Sequence, residues 1–226
     1  MDKILVIDKP KGCTSHDVVN VVRKKFDIKK VGHTGTLDPA ATGVLVVLVG
    51  EATKKSAELS KANKEYEVEI TFGLKTSTED GEGEVIEKRE ARIKKEELRV
   101  VLERFKGEVT QTVPMLAAVK VGGKKLYKLA RKGIEIAERD RPKRKVKIYE
   151  IKLVGFWAAK NPKAKIFIKC SSGTYIRTLV QDIAKELREI AYMSGLRRVA
   201  VGKFEIKDAI LLDDLENHFS ESDGIR

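Results

Sequence analysis

The sequence predicts an α/β protein, and three stretches carry that prediction. GVLVVLVG, residues 43–50, is a β-branched apolar run too short for an ordinary helix and closed by glycine at both ends, as a central strand would be. KEYEVEITFGL sets Tyr66, Val68, Ile70 and Phe72 on one face and Glu65, Glu67, Glu69 and Thr71 on the other, the two-residue period of a half-buried strand. KAKIFIKCSSGTYIRTLVQDIAKELREI changes period midway: Ile166, Ile168 and Cys170 alternate, and then Ile176, Leu179, Val180, Ile183 and Leu187 recur at helical spacing.

The remaining elements follow in chain order. KILVIDKP reads as a buried strand ended by Pro10 and Gly12. A helix comes next, capped by Thr14 or Ser15, with Asp17 in its first turn, where the helix dipole favours negative charge, and Val18, Val22 and Phe26 along one face. EATKKSAELSKAN reads as a solvent-facing helix, and TSTEDGEGEV as a polar turn without the ligand spacing of a calcium loop. Residues 93–106 carry Leu98, Leu102 and Phe105 on one helical face, stopped by Gly107. Gly122 and Gly123 suit a hairpin because both turn positions tolerate positive φ, and LYKLARKG follows as a short helix ended by Gly133. RPKRKVK, residues 141–147, is either an ordinary lysine-protected strand edge or a surface for a polyanion, and it leads into the alternating strand KIYEIKLVGFW. GLRRVAVGKFEI is expected to supply a turn, two arginines and a last strand before a polar end.

Charge and cysteine usage narrow the function. The 226 residues carry a net charge of +12, and 42% of them are hydrophobic, enough for a real core beneath a strongly positive surface. Nucleic acid is the leading partner of such a surface, and a solubilising lysine-rich coat is the plainer reading. Cys13 and Cys170, far apart, make neither a disulfide framework nor a metal cluster and fit a reducing cytoplasm. No apolar run approaches the roughly 18 residues of a membrane span, and the N-terminus lacks a signal peptide's basic flank, so no membrane is expected. The histidines at 16, 33 and 218 have no metal spacing, and neither a P-loop nor G-x-S-x-G is present, which disfavours metal, redox and nucleotide-hydrolysing chemistry.

What remains is Asp38, a lone carboxylate within GHTGTLDPAATGVL, residues 32–45. Pro39 pushes it toward an extended backbone. From these residues alone it is a nucleophile, a general base or a turn-former.

That stretch closely resembles the catalytic motif of the TruB family of pseudouridine synthases, G-H-x-G-x-L-D-P-x-A-x-G-x-L. DKPKGCTSHDVV, KEYEVEITFGLKTSTEDGEG, GKKLYKLARKGIEI, CSSGTYIRTLVQDI and GLRRVAVGKF resemble the family's other motifs in order, over most of the chain. The resemblance implies the pseudouridine synthase fold, a large, mostly antiparallel mixed sheet with surrounding helices. It also implies isomerisation of uridine to pseudouridine at position 55 in the T-loop of tRNA, in the cytoplasm, without cofactor, metal or obligatory protein partner. Asp38 is then the nucleophile and Arg177 its paired arginine. Tyr66 stacks on the flipped base and serves in proton transfer, and Tyr175 touches the aspartate and the substrate. The backbone of Leu196 bonds the uracil edge, and His33 fills the space left by the extruded uridine. Lys9 and Pro10 are read as structural. Arg23, Lys24, Lys25, the KKLYKLARKG segment, RPKRK, Arg197 and Arg198 are expected to follow phosphates.

Two departures from the pattern stand out. PMLAAVK has Leu116 and Ala117 where the family usually has tyrosine and serine. Relatives commonly continue into a PUA-type RNA-binding domain, whereas here residues 1–215 read as the catalytic domain and 216–226 as a short tail. Two rival functions are a guide-dependent, dyskerin-like synthase and a tRNA-folding chaperone that binds without modifying.

Overall fold

A computed structural model describes residues 2–130 and 132–215. His218 and the tail read from 216–226 lie outside the described residues. The chain divides into two compact units, residues 1–67 with 196–226, and residues 68–195.

The first unit opens with β1 (Lys3–Lys9) and α1 (Ser15–Phe26). Thr14 is the N-cap: its hydroxyl accepts from the Asp17 N–H while the Asp17 carboxylate accepts from the Thr14 N–H, a reciprocal capping box. β2 (Val31–His33) and β3 (Thr42–Val49) follow, antiparallel to each other, and β3 is also antiparallel to β1 with Asp8 opposite Val44. β3 is covered on both faces, which explains its uninterrupted apolar sequence. Leu45, Val47 and Val49 meet Val18, Val19 and Val22 of α1, and Val44, Val46 and Leu48 pack with Ala52 and Val201. Each fully buried valine or leucine contributes up to about 2 kcal/mol. The long helix expected at 51–63 is instead a 3-10 segment, Gly50–Lys55, and a single turn, α2 (Ser56–Leu59). Most of that stretch has no apolar stripe to bury, and no residue of α2 is buried.

β4 (Lys64–Phe72) runs from the first unit into the second with the expected alternation, except that Thr71 is also buried. In the second unit, β5 (Leu74–Thr76) and β6 (Val85–Lys88) form a two-stranded sheet around the polar turn. α3 (Lys95–Arg104) buries Leu98, Val101 and Leu102, and β7 (Gly107–Thr112) follows it. β8 (Lys120–Val121) and β9 (Lys124–Lys125) form the glycine hairpin, with Gly122 and Gly123 both at positive φ, and α4 (Leu126–Ala130) comes next. β10 (Lys143–Trp157) pairs with β7 over Lys143–Ile148 and with β11 (Lys163–Cys170) from Ile148 onward. The basic run is therefore not a sheet edge, because β7 lies outside it. α5 (Ile176–Glu186) buries Leu179, Val180 and Ile183; α3 packs on β10 and α5, and α5 packs on β7.

β12 (Ala191–Val201) returns the chain to the first unit, and β13 (Phe204–Glu205) and β14 (Ile210–Leu211) end it. The turn expected within GLRRVAVGKFEI falls at Gly202, φ +57, and the two arginines before it stay extended in β12. Ten strands make one mixed sheet, parallel where β12 meets β3 and where β14 meets β1 and antiparallel at the β1–β3, β10–β11 and β10–β7 ladders. The expected fold class is thereby met.

Candidate active site

In the first unit, Asp38 sits half-buried on the loop between β2 and β3, and the backbone on both sides of it is held from below. Ser15, the first residue of α1, is buried; its hydroxyl accepts from the Leu37 N–H at 2.8 Å and donates to the Leu37 carbonyl at 3.1 Å. The Pro39 carbonyl accepts from the Gly12 N–H at 2.9 Å and from the Lys9 ammonium at 3.4 Å. Lys9 is fully buried and also donates to the carbonyls of Pro10 and Cys13. Ala41 closes the turn by donating to the Asp38 carbonyl at 3.0 Å.

Arg198 holds the other arm of the loop. It lies on β12, which meets β3 in parallel through two residue pairs, Arg197 with Thr42 and Arg198 with Gly43. Its side chain is buried and donates to the carbonyls of Val44 at 2.7 Å, Gly35 at 3.0 Å and Thr36 at 3.5 Å. Burial pulls its guanidinium below the ordinary arginine value, and Tyr66, hydrogen-bonded to it, pulls the other way. Gly43 is required at this crossing: with φ +103, a Cβ there would stand 2.2 Å from the Arg198 carbonyl oxygen. Tyr66 is 7% exposed on β4, and Leu196 is half-buried on β12 next to the arginine pair. His33 ends β2. Burial chiefly, with Arg198 and His16 adding to it, holds its imidazole below the usual histidine range, so it is neutral at pH 7. Asp38, Tyr66, His33 and Leu196 thus share one unit, tied together through β3 and Arg198.

In the second unit, Tyr175 is the N-cap of α5, and buried Gln111 chelates its backbone: the Gln111 carbonyl oxygen accepts from the Tyr175 N–H at 3.0 Å, and the amide donates back at 3.1 Å. The Tyr175 ring packs against Val113, Ala117 and Leu126, so Ala117 fills an apolar position where the family's serine usually stands. Burial raises the Tyr175 phenol above its ordinary value. Arg177 lies 3.6 Å from buried Asp80 and donates to the Thr78 carbonyl at 3.3 Å. Glu79 is in the left-handed region, φ +64, and burial, opposed by Arg177 and other cations, raises its carboxyl. Among the described residues, no group of three or more His, Cys, Asp or Glu side chains gathers as a metal site requires.

One expectation is corrected. Arg198 cannot follow phosphates, because its donors are spent on backbone inside the protein. Arg197 is engaged as well, forked onto Asp8 at 2.6 and 3.2 Å. Sequence reasoning missed Ser15, Gln111, Asp80 and the inward Arg198. Ser15 was visible there only by its position beside a cap and Asp80 only as one residue of a motif, since the partners of Gln111 and Arg198, and Arg177 beside Asp80, lie far away along the chain.

Comparison with known proteins accords with this geometry. Among solved structures, the chain matches one from a crystal structure of a Cbf5-Nop10-Gar1 complex at 30% identity and a TM-score of 0.74. It matches another from an H/ACA RNP bound to a substrate RNA containing 2'-deoxyuridine at 27% and 0.70. Each match takes in 99% of this chain but spans 56% of the matched one. The family models give the class, that of the pseudouridylate synthases. The description "TruB family pseudouridylate synthase (N terminal domain)" matches residues 23–176, and "tRNA pseudouridylate synthase B C-terminal domain" matches residues 177–224. Similar proteins named tRNA pseudouridine synthase B include one from Alkaliphilus oremlandii, 48% identical over 96% of this chain and 70% of its own length. Another, from Geobacillus thermodenitrificans, is 43% identical over 98% and 74%. The chain belongs to the TruB family of pseudouridylate synthases.

Proposed function

We propose that this enzyme converts uridine 55 in the T-loop of tRNA to pseudouridine, acting on the flipped nucleotide without a guide RNA. Asp38 is the nucleophile that permits cleavage of the glycosidic bond and its rejoining through carbon. Arg177 pairs with it and orients it. Tyr66 stacks on the uracil and serves the proton transfer at carbon, Tyr175 touches the aspartate and the substrate, and the Leu196 backbone holds the uracil edge. His33, neutral and half-buried, takes the space the uridine leaves.

One observation carries this reading: the residues on each side of Asp38 are gripped by Ser15, Gly12 and Lys9, as preorganised chemistry requires and an incidental turn does not. A nucleophile must be held while a separate aromatic acts on the base. Independence from a guide is supported by identity, which is 48% to a relative named for tRNA modification and 30% to the chain from the Cbf5 complex. The exposed lysines of the second unit supply the sequence-independent attraction to tRNA.

The test is to incubate the purified protein with a T-arm stem-loop alone and map pseudouridine by position. Product at position 55 without added RNA or protein is the expected result. Product that appears only with a guide RNA would favour the dyskerin-like reading, and tight binding without product would favour the chaperone.

A further inference from the structure

Arg197 and Arg198 are consecutive on β12, so their side chains leave on opposite faces of the sheet. Arg198 goes inward to three carbonyls around the Asp38 loop. Arg197 crosses β3 on the other face. Its Nη2 donates to Asp8 Oδ2 at 2.6 Å, and its Nη1 donates to Asp8 Oδ1 at 3.2 Å and to Thr42 Oγ1 at 3.3 Å. Asp8 is on β1, the neighbour of β3 on the far side from β12, so one guanidinium spans three adjacent strands at the point where β3 leaves the loop. The fork is partly covered, with side-chain exposures of 38% for Arg197 and 16% for Asp8.

This bridge adds to the few contacts that set the register of β12 on β3, chief among them the Arg198 bond to the Val44 carbonyl on the opposite face. The parallel ladder between them is two residue pairs long, and Leu196 is the residue just before it. Slippage there would move the Leu196 backbone relative to Asp38 without unfolding either strand. We propose that Arg197 is a positioning residue: its fork onto Asp8 and Thr42 holds the Leu196 backbone at a fixed distance from the Asp38 loop, and its charge is not used on RNA phosphate. The inference rests on the role given above to Leu196. Three of the five guanidinium N–H groups are already taken by Asp8 and Thr42, and the bidentate carboxylate is a partner a guanidinium matches especially well.

The experiment measures single-turnover pseudouridine formation in a T-arm stem-loop at saturating enzyme, alongside stem-loop affinity across a salt series. Wild-type turnover comes first, since its failure would sink the functional reading and not this one. With Arg197→Ala, the rate falls about tenfold to a hundredfold at saturation, as misplacement of a binding group does, while affinity and salt slope hold. Asp8→Asn moves in the same direction, because it keeps the shape and loses the charge. Arg197→Lys, which keeps a point charge on Asp8 but loses the fork to Thr42, falls between. The proposal is overturned if Arg197→Ala leaves the saturated rate intact and weakens binding with a salt slope shallower by about one, the signature of a phosphate contact. It is equally overturned if melting curves at the assay temperature show that loss of folded protein accounts for the rate change in both Arg197→Ala and Arg197→Lys.

Discussion

Two regions, the Asp38 loop of the first unit and β10 of the second, use the same residue types for opposite purposes. In the first, Lys9 and Arg198 are buried and spend their charge on backbone carbonyls around the Asp38 loop. In the second, Lys143, Arg144, Lys145 and Lys147 of β10 are exposed. A buried cation is tolerated only where donors and acceptors are closely matched, so it fixes geometry; an exposed one is cheap to hold and free to meet a mobile polyanion. A net charge of +12 therefore overstates the RNA-facing charge, since part of it is internal scaffolding.

The contrast can be broken hardest at Arg198. Arg198→Met leaves three carbonyls without their donor, and a loss of about 3 kcal/mol or more in denaturant unfolding is expected, with turnover falling too. Arg198→Lys should recover little, because one ammonium cannot reach all three oxygens. Gly43→Ala is next: the added Cβ meets backbone and the φ of +103 is strained, for a loss of about 2 kcal/mol by the same measurement. The double substitution Lys143→Ala and Lys145→Ala sharpens the other side of the comparison. Stability should stay within about 0.5 kcal/mol, while the slope of log affinity for tRNA against log salt becomes shallower by about one per lost phosphate contact.

The smallest effect is a pH dependence. Burial, then the nearby charge of Glu138, opposed by Lys185, lifts Asp182 from 3.8 to about 6. With the folded value above the unfolded one, this group's contribution is fully present below pH 3.8 and is lost as pH rises through about 6. Asp182→Asn should therefore gain about 1 kcal/mol at pH 8, discounted for the partial exposure of the side chain, and close to nothing at about pH 3. Melting temperatures at the two values decide it.

Much of this architecture was legible locally. The Thr14–Asp17 capping box, the alternation of β4, the doubly buried β3, the double-glycine hairpin and the strand-to-helix switch at SSGT all follow from neighbours within a few residues. The candidate nucleophile stood out for the same reason, as one acid in an apolar, glycine-bounded stretch. Arg198, Asp8 and Gln111 did not. Arg197 and Asp8 are 189 residues apart, and Gln111 holds a backbone 64 residues away, so no local period marks them. Arg198 also misled because a pair of arginines reads as surface charge until a strand is known to place one of them inside. The expected helix after β3 failed where composition allowed helix but no face was available to bury.

The central claim is that the immobilised Asp38 performs covalent chemistry on a tRNA nucleotide. Asp38→Asn removes its nucleophilic charge and leaves Ser15, Lys9, Gly12 and Arg198 in place, so T-arm affinity should change by less than about threefold while pseudouridine formation falls a thousandfold or more. Turnover that survived the substitution, or affinity that collapsed together with it, would contradict the account.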